Sequence, residues 1–264
     1  MDKQDGPSQA EAWVNDSDLK QWAQLPSGDF QQEGEDTDAV GPVCVEADAF
    51  SYTCRGGLAN LQICTQQQKG TTFQLWPSSL LLCRYAEAQH VQDPSCWKGR
   101  QIIELGCGVG LLGMVFATLG ASVILTDLMK AKDLVESNID KNNMAIAAAG
   151  GQASFAELAW GETAIDTLQL SRTTLAIAAD VIYHQELFEP LCSTFQALGE
   201  ANINVLLAHT RRWKHDSRFF RKVRKRFSVK DITLEIQADA AQYDSRSMGR
   251  ARLFWLTPLP SSAP

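Results

Sequence analysis

The sequence predicts an α/β fold in which a seven-stranded, doubly wound sheet is mostly parallel and has one antiparallel strand near the C-terminus. From residue 101 onward, short buried apolar runs alternate with helix-length segments. This alternation is typical of parallel strands covered by helices on both faces. No helix separates the last two predicted strands, so one of them should run antiparallel to its neighbour.

The elements follow in order along the chain. Three short β-rich stretches come first, and we interpret them as hairpins because glycines and turn residues separate them. A helix with an apolar face follows. After them, strands and helices alternate. The predicted strands are Phe50 to Cys54, Leu61 to Thr65, Thr71 to Leu75, Gln101 to Leu105, Ser122 to Thr126, Ala153 to Leu158, Thr174 to Ala179, Ile203 to Ala208, Val229 to Ile236 and Arg250 to Thr257. The predicted helices are Ser78 to Gln89, Leu111 to Leu119, Met129 to Asn142, Gln185 to Leu198 and Asp216 to Arg226.

Charge and composition divide the chain unevenly. The 264 residues carry a net charge of −7, and residues 1–41 hold ten acidic but two basic side chains. We expect this acidic leader to be a solvated tail, since it has too few aliphatic side chains to offset ordering entropy. The alternative is an arm that docks through Trp13, Trp22 and Leu25. The remaining segments are an N-terminal extension of hairpins and a helix (42–98), the α/β domain (99–258) and a tail (259–264).

Composition also excludes several classes of protein. No apolar run reaches the roughly 18 residues that a membrane span needs, and the first thirty residues are too acidic for a signal peptide. Seven cysteines, an odd number without paired metal-ligand spacing, predict reduced thiols and no metal site. We therefore expect a cytoplasmic protein that also has access to the nucleus, with no membrane partner.

A glycine-rich segment lies where the first strand of the α/β domain turns into a helix. Gly106, Cys107 and Gly108 belong to the run Glu104-Leu-Gly-Cys-Gly-Val-Gly-Leu-Leu-Gly113. Glycines there allow a ligand to approach the backbone, and the helix N-terminus offers unpaired N–H groups. Asp127 ends the next strand, where a carboxylate can accept hydrogen bonds from both hydroxyls of a ribose. The pattern predicts a cofactor of the adenosine type.

The glycines alone are compatible with two classes of cofactor. Residues 108–113 satisfy the fingerprint of dinucleotide-binding proteins, a weak signal when it stands alone. Glu104, however, precedes the first glycine, and a carboxylate there would repel a pyrophosphate but would attract the free amine of an amino acid. The surrounding residues therefore favour an adenosine cofactor that carries an amino acid over a nicotinamide dinucleotide.

The segment resembles motif I of the seven-β-strand, Rossmann-like methyltransferases that use S-adenosylmethionine. Further motifs narrow the resemblance to the methyltransferase-like family 16 branch, which contains protein-lysine methyltransferases. They are an upstream Trp76, the Glu-Leu-Gly-x-Gly motif, the acidic end of the second strand, Trp160-Gly161 after the third, and Asp180-Val-Ile-Tyr183 after the fourth. The likeness spans about residues 44–258, so that 99–258 is expected to be the S-adenosylmethionine-binding domain.

The resemblance implies a role for each of these positions. Trp76 and Trp160 would flank the cofactor, with Trp160 near the adenine. Gly106, Cys107 and Gly108 would line its methionine part, Asp127 would hold the ribose, and Ala179 would contact the cofactor from the fourth strand. Either Trp could instead be a core residue, and Cys107 has no redox role in this interpretation. The substrate implied is a protein, with chaperones, translation factors and calmodulin among the targets of the branch.

Asp180 and Tyr183 are the predicted catalytic residues. A lysine amine attacks only when it is deprotonated, and a neighbouring carboxylate favours the ammonium form. Asp180 is therefore expected to bind and align the amine rather than act as a strong base, while Tyr183 forms a pocket wall. An alternative role for Asp180 is the N-cap of the helix that follows. Val181 and Ile182 stand where enzymes that methylate adenine carry a Pro-Pro-aromatic sequence, which argues against a nucleobase target.

A basic segment, 211–226, holds nine Lys or Arg among sixteen residues. Phe219, Phe220, Val223 and Phe227 recur at helical spacing and are expected to face the core. The basic side chains then form a solvated outer face; recognition of an acidic protein surface and contact with RNA are alternatives. For the whole chain, a protein-lysine methyltransferase is the first prediction. The alternatives are a methyltransferase for arginine or a metabolite, an oxidoreductase, and a non-enzymatic protein- or RNA-interaction module.

Overall fold

The structure, a computed structural model, describes residues 48–66, 69–161, 170–213, 216–233 and 251–260. The acidic leader lies outside the described residues, as do the last part of the predicted strand Val229 to Ile236 and residues 261–264. Within the described ranges, no helix is long and apolar enough to cross a membrane.

The N-terminal extension consists of a hairpin and a helix. Strands β1 (Asp48–Thr53) and β2 (Asn60–Thr65) pair antiparallel, and α1 (Pro77–Gln92) follows. The predicted strand from Thr71 to Leu75 is wrong, because Thr71–Phe73 forms a single 3₁₀ turn. Its backbone bends towards the glycine-rich segment: a Cβ on Gly108 would lie 3.2 Å from the carbonyl oxygen of Thr72. This tertiary contact overrides the local β propensity.

A seven-stranded sheet confirms the predicted architecture. Its strands are β3 (Gln101–Leu105), β4 (Ser122–Asp127), β5 (Gln152–Glu157), β6 (Leu175–Ala179), β7 (Asn204–Thr210), β8 (Phe227–Asp231) and β9 (Ala251–Pro258). They lie in the order β5-β4-β3-β6-β7-β9-β8. The strand β9 runs antiparallel to both of its neighbours, whereas β3 to β7 are parallel.

Four further helices cover the two faces of the sheet. They are α2 (Leu111–Thr118), α3 (Lys132–Ala148), α4 (Phe188–Glu200) and α5 (Asp216–Val223). Neighbouring residues of one strand point to opposite faces, so Ile102 packs in the core under α1, α2 and α3 whereas Ile103 packs in the core under α4 and α5. The expected inward face of the basic segment is confirmed for Phe219, Phe220 and Val223, which are buried. Phe227 is also buried, but its place on the helix was predicted incorrectly, because the helix ends at Val223 and Phe227 begins β8.

Two asparagines of α3 hold the hairpin against the main domain. Asn138 accepts a hydrogen bond from the N–H of Cys64 at 2.9 Å and donates to its carbonyl at 3.0 Å. Asn142 pairs in the same way with the backbone of Gln62, at 2.8 and 2.9 Å. The two amides lie one turn apart on the helix, and they supply the hydrogen bonds that the backbone of a neighbouring strand would otherwise give to β2. Asn138 also donates to the carbonyl of Val109, at 3.0 Å, and thereby links the hairpin to the glycine-rich segment.

Candidate active site

The candidate site lies where parallel strands end at one edge of the sheet. In such sheets, ligands bind beyond the carboxyl ends of the strands, where the strand order reverses. Here β3 lies between β4 and β6, so the reversal falls at the ends of β3 and β6. A cleft opens at this point, and its lining comprises Gln74, Leu75, Trp76, Ser79, Glu104, Gly106, Cys107, Gly108, Val109, Leu111, Leu112 and Ala179. Five of the seven predicted cofactor residues therefore line one cleft.

The glycine-rich segment depends on glycine for its conformation and for its contacts. Gly106 and Gly108 have φ values of 65° and 55°, in the left-handed region that other residues rarely adopt. A Cβ on Gly106 would also lie 3.0 Å from Cζ2 of Trp160 and 3.1 Å from Cγ1 of Val181. Trp160 therefore packs directly on the floor of the cleft, although it is not part of its lining.

Asp127 binds the glycine-rich segment from the end of β4. Its Oδ2 accepts a hydrogen bond from the N–H of Gly108 at 2.9 Å, and its Oδ1 accepts one from the N–H of Leu128 at 2.8 Å. Burial raises the pKa of this carboxyl group, and the two N–H donors oppose that effect only in part. Each oxygen has a second lone pair, so the carboxylate can still accept hydrogen bonds from ribose hydroxyls.

Glu104 lies in the lining of the cleft and is 2% exposed. Its Oε2 accepts a hydrogen bond from the N–H of Gly113 at 2.9 Å, one of the unpaired donors at the N-terminus of α2. Burial raises the pKa of this carboxyl group well above its ordinary value. Glu104 therefore has a structural role at the start of α2, and because the raised pKa favours its neutral form, its attraction for an amine is weaker than that of the expected carboxylate.

Cys107 is fixed by the backbone. Its N–H donates to the carbonyl of Thr126 at 2.9 Å, and its own carbonyl accepts from the N–H of Gly110 at 2.8 Å. Burial raises the pKa of the thiol well above its usual range, which keeps the sulfur protonated and unreactive. This environment fits a small side chain that fills a tight turn.

Asp180 follows β6 and its carboxylate is already bound within the chain. Arg212 donates from Nη1 to Oδ1 at 3.2 Å and from Nη2 to Oδ2 at 3.0 Å, and the N–H of Thr210 donates to Oδ1 at 2.8 Å. The sequence predicts that Asp180 binds the acceptor amine directly, and this contact stays a prediction. In the structure, Arg212 and Thr210 already occupy the carboxylate oxygens and would compete with such an amine. The alternative role as an N-cap is wrong, because α4 begins at Phe188.

The backbone of Asp180 is also unusual. Its φ of 56° is in the left-handed region, which non-glycine residues adopt at a cost. Such conformations persist where surrounding contacts fix them, and they are frequent at functional sites. The hydrogen bonds from Thr210 and Arg212 are the contacts that fix the side chain here.

Tyr183 and Trp160 lie together on the other side of the cleft floor. Their ring centroids are 6.3 Å apart in an edge-to-face arrangement. Tyr183 is half-buried, and its pKa is raised by burial and by the negative charge of Asp127. The negative charge of Asp127, the predicted ribose ligand, therefore acts on the hydroxyl group of Tyr183, the predicted catalytic tyrosine.

Sequence reasoning missed Arg212 and the residues that hold it. The Arg212 guanidinium lies 4.9 Å from the ring centroid of Trp76, a cation–π contact, so Arg212 links the cleft wall to Asp180. Asp216, fully buried, accepts hydrogen bonds from the N–H groups of Arg212 and Trp213 and from Nε2 of His209, at 3.1, 3.2 and 3.2 Å. The available signal was position, because Arg212 follows a strand whose carboxyl end lies beside that of β6. Arg212 belongs, however, to a segment in which nine of sixteen residues are basic, and the sequence does not distinguish it from the others.

The residues of the cleft fit S-adenosylmethionine. Gly106 and Gly108 leave their backbone uncovered by a Cβ, Asp127 presents carboxylate oxygens at the end of β4, and Glu104 and Trp76 add an acidic and an aromatic wall. Among the described residues, no group of three His, Cys, Asp or Glu side chains could hold a metal ion.

Comparisons with known proteins agree with this arrangement. A sequence model of the family described as "Lysine methyltransferase" matches residues 58–226. The chain is 34% identical over 189 residues to protein N-lysine methyltransferase METTL21A of Danio rerio, which covers 70% of this chain and 84% of that relative. It is 31% identical over 156 residues to EEF1A lysine methyltransferase 3 of Mus musculus, 58% of this chain and 62% of the relative.

A solved structure shares the fold. The 16S rRNA N2 G1207 methyltransferase of T. Thermophilus, solved in complex with AdoMet and guanosine, superposes with a TM-score of 0.52 at 16% identity. The match covers 86% of this chain and 56% of that one. With the family match and the cleft described above, we conclude that this chain belongs to the lysine methyltransferase family of S-adenosylmethionine-dependent enzymes.

Proposed function

We propose that this enzyme transfers a methyl group to the side-chain amine of a lysine in another protein, at the edge where β3, β4, β6 and β7 end. One observation carries the proposal: the cleft residues Trp76 and Ala179 adjoin the segment that holds Asp180 and Tyr183. A donor in the cleft and an acceptor at this segment would be neighbours, which is the main requirement of a direct transfer.

We propose that Trp76, Gly106, Cys107, Gly108, Asp127, Trp160 and Ala179 hold the donor. S-adenosylmethionine supplies a methyl group made electrophilic by its sulfonium. Asp127 would accept hydrogen bonds from the ribose, and a carboxyl oxygen of Glu104 would accept a hydrogen bond from the amine of the methionine part. Tyr183 would form a wall of the acceptor pocket, with its hydroxyl available to orient the amine.

Two observations favour a protein acceptor over a nucleobase. The relatives described above are named as protein N-lysine and EEF1A lysine methyltransferases. In addition, the two positions directly after Asp180 hold Val181 and Ile182, which are aliphatic and 3% and 0% exposed, so neither offers an aromatic surface on which a base could stack. These observations support lysine in a protein as the acceptor.

The outer face of α5 suggests what kind of protein is recognised. Arg218 and Arg221 are exposed there and Lys225 is exposed in the turn that follows, while Lys222 of α5 and Arg226 of the turn pair with acidic residues of α4. An acidic surface on the substrate would complement this face. We propose a folded acidic substrate, with chaperones and translation factors as the candidate classes, located in the cytoplasm or the nucleus.

Transfer of tritium from labelled S-adenosylmethionine to a cell lysate tests the proposal. Protease treatment of the labelled sample should release the label from the acid-insoluble fraction, and nuclease treatment should not. Asp127→Ala is the matched control, since it removes a predicted donor contact without touching the acceptor segment. Label that nuclease releases, or label that remains soluble as a small molecule, would overturn the assignment of a protein acceptor.

A further inference from the structure

We propose that Arg212 is a positioning residue that neutralises Asp180, so that the acceptor end of the cleft presents an ion pair rather than an unpaired carboxylate. The consequence for a lysine rests on the proposed function above, because only an amine acceptor is affected by this charge. The neutralisation itself concerns residues of this chain and can be tested without any acceptor.

The ion pair is buried and bidentate. The side chains of Arg212 and Asp180 are 8% and 3% exposed, and each carboxylate oxygen receives one guanidinium N–H. Two parallel bonds of this kind are the strong form of the arginine–carboxylate contact. Removal of one member of a buried pair leaves its partner as an uncompensated charge.

Arg212 is fixed from two further sides. Its backbone N–H is bound by the buried carboxylate of Asp216, and its guanidinium lies 4.9 Å from the centre of the Trp76 ring. A partly buried hydrogen bond between the hydroxyl groups of Ser78 and Thr210, 2.8 Å between the oxygens, joins the start of α1 to the end of β7. The guanidinium is therefore held between the wall of the donor cleft and the acceptor segment.

The other charged groups near Asp180 do not replace Arg212. His209 Nδ1 lies 3.8 Å from Asp180 Oδ1, beyond hydrogen-bond distance, and its Nε2 is engaged with Asp216. Arg211 is buried and interacts with Asp216. Among the residues that the structure describes, Arg212 is thus the cation in direct contact with both oxygens of Asp180.

This arrangement matters for a lysine acceptor. A lysine has a pKa near 10.4 and must lose its proton before it can attack, and an unpaired carboxylate within about 4–6 Å would raise that pKa further, by roughly 1–3 units. With Arg212 in place, Asp180 can contribute its shape and polarity without stabilising the unreactive ammonium form.

A comparison of two ligands tests the charge directly. S-adenosylmethionine carries a positive sulfonium that S-adenosylhomocysteine lacks, so the ratio of their dissociation constants reports the local charge, whereas a distortion of the cleft affects both ligands. In Arg212→Met, the unpaired carboxylate should favour S-adenosylmethionine, and the preference should rise by roughly 3- to 50-fold over wild type. In Asp180→Asn, the unpaired guanidinium should shift the preference in the opposite direction.

Two further variants complete the experiment, with both affinities measured by calorimetry. The double variant Asp180→Asn/Arg212→Met removes both charges and should return the ratio to the wild-type value. Arg212→Lys keeps the positive charge but loses the bidentate hydrogen bonding of the guanidinium. The ratio of the two dissociation constants should therefore stay near the wild-type value, while both ligands bind more weakly. Equal ratios in the wild type and in every folded single variant would overturn the proposal, and Asp180→Asn provides this test even where Arg212→Met fails to fold.

The outcome does not depend on the identity of the acceptor. If methyl groups are transferred to a group other than lysine, the proposed function fails while the shifts in ligand preference remain. If lysine is methylated but the ratio never changes, the proposed function stands and the role of Arg212 is wrong.

Discussion

The carboxylate of Asp127 and the N–H of Gly108 form a 2.9 Å hydrogen bond that joins the end of β4 to the glycine-rich segment after β3. Gly108 adopts a left-handed conformation at this point and lines the cleft. Asp127 therefore holds the backbone of the donor cleft, and we propose that its oxygens also accept hydrogen bonds from the ribose of the donor.

Asp127→Ala should weaken the binding of S-adenosylhomocysteine by about 1.5–3 kcal/mol, the range for hydrogen bonds to charged groups. Asp127→Asn keeps an oxygen that can accept from Gly108 and should lose less. Calorimetry measures both affinities, and thermal unfolding provides the control for folding. An unchanged affinity in Asp127→Ala would exclude this carboxylate from the donor site.

Gly113→Ala should destabilise the protein even though alanine favours helices. A Cβ at this position would lie 2.5 Å from Oε2 of Glu104 and 2.8 Å from Cγ of Leu125. Overpacking of this kind costs about 1–3 kcal/mol, more than the gain of roughly 1 kcal/mol from helix propensity. Chemical denaturation measures the difference, and a stabilised variant would contradict the tight packing of α2 against β3 and β4.

Glu104→Gln should increase stability at high pH. Because burial raises the pKa of Glu104, the folded protein binds more protons than the unfolded chain above the ordinary value of 4.5, and this carboxyl group lowers stability as the pH rises. The amide side chain of the variant keeps an oxygen that can accept a hydrogen bond from the N–H of Gly113. Because it does not titrate, it removes the loss of stability that rising pH causes in the wild type. Melting temperatures of the variant and the wild type should therefore diverge from pH 5 upward, and parallel curves would show that Glu104 is not protonated in the fold.

Asn138→Ala should loosen the hairpin. The substitution leaves the N–H and carbonyl of Cys64 and the carbonyl of Val109 without this partner, at about 1–3 kcal/mol for each group that stays buried and unpaired. Amide hydrogen exchange in β2 should accelerate. Asn143→Ala, exposed on the same helix, is the matched control and should leave exchange in β2 unchanged.

Local patterns were sufficient to predict the sheet, because buried strands and the helices between them carry their own periodicity. The bounds of β3 match the prediction, and β9 is the antiparallel strand that the missing helix implied. The stretch after Gly70 was predicted incorrectly, since its conformation depends on a contact with Gly108 that is distant in sequence.

The candidate site also contains residues that local patterns predict and residues whose role depends on contacts that are distant in sequence. Glycines, strand-end carboxylates and the two tryptophans could be read from motifs, because their positions follow the strands. Arg212 could not, since no local pattern separates an inward-facing arginine from the solvated ones around it. Its pairing with Asp180 arises when β6 and β7 lie side by side in the sheet.

The most direct test of the enzyme's activity is a map of the methylated residues. The enzyme is incubated with a cell lysate and S-adenosylmethionine that carries a deuterated methyl group, and tandem mass spectrometry locates the label. Our account predicts label on lysine side chains of one or a few proteins, reduced in Tyr183→Phe and reduced further in Tyr183→Ala because the pocket wall is lost. Label on arginine or on nucleic acid, or equal labelling by all three enzymes, would contradict it.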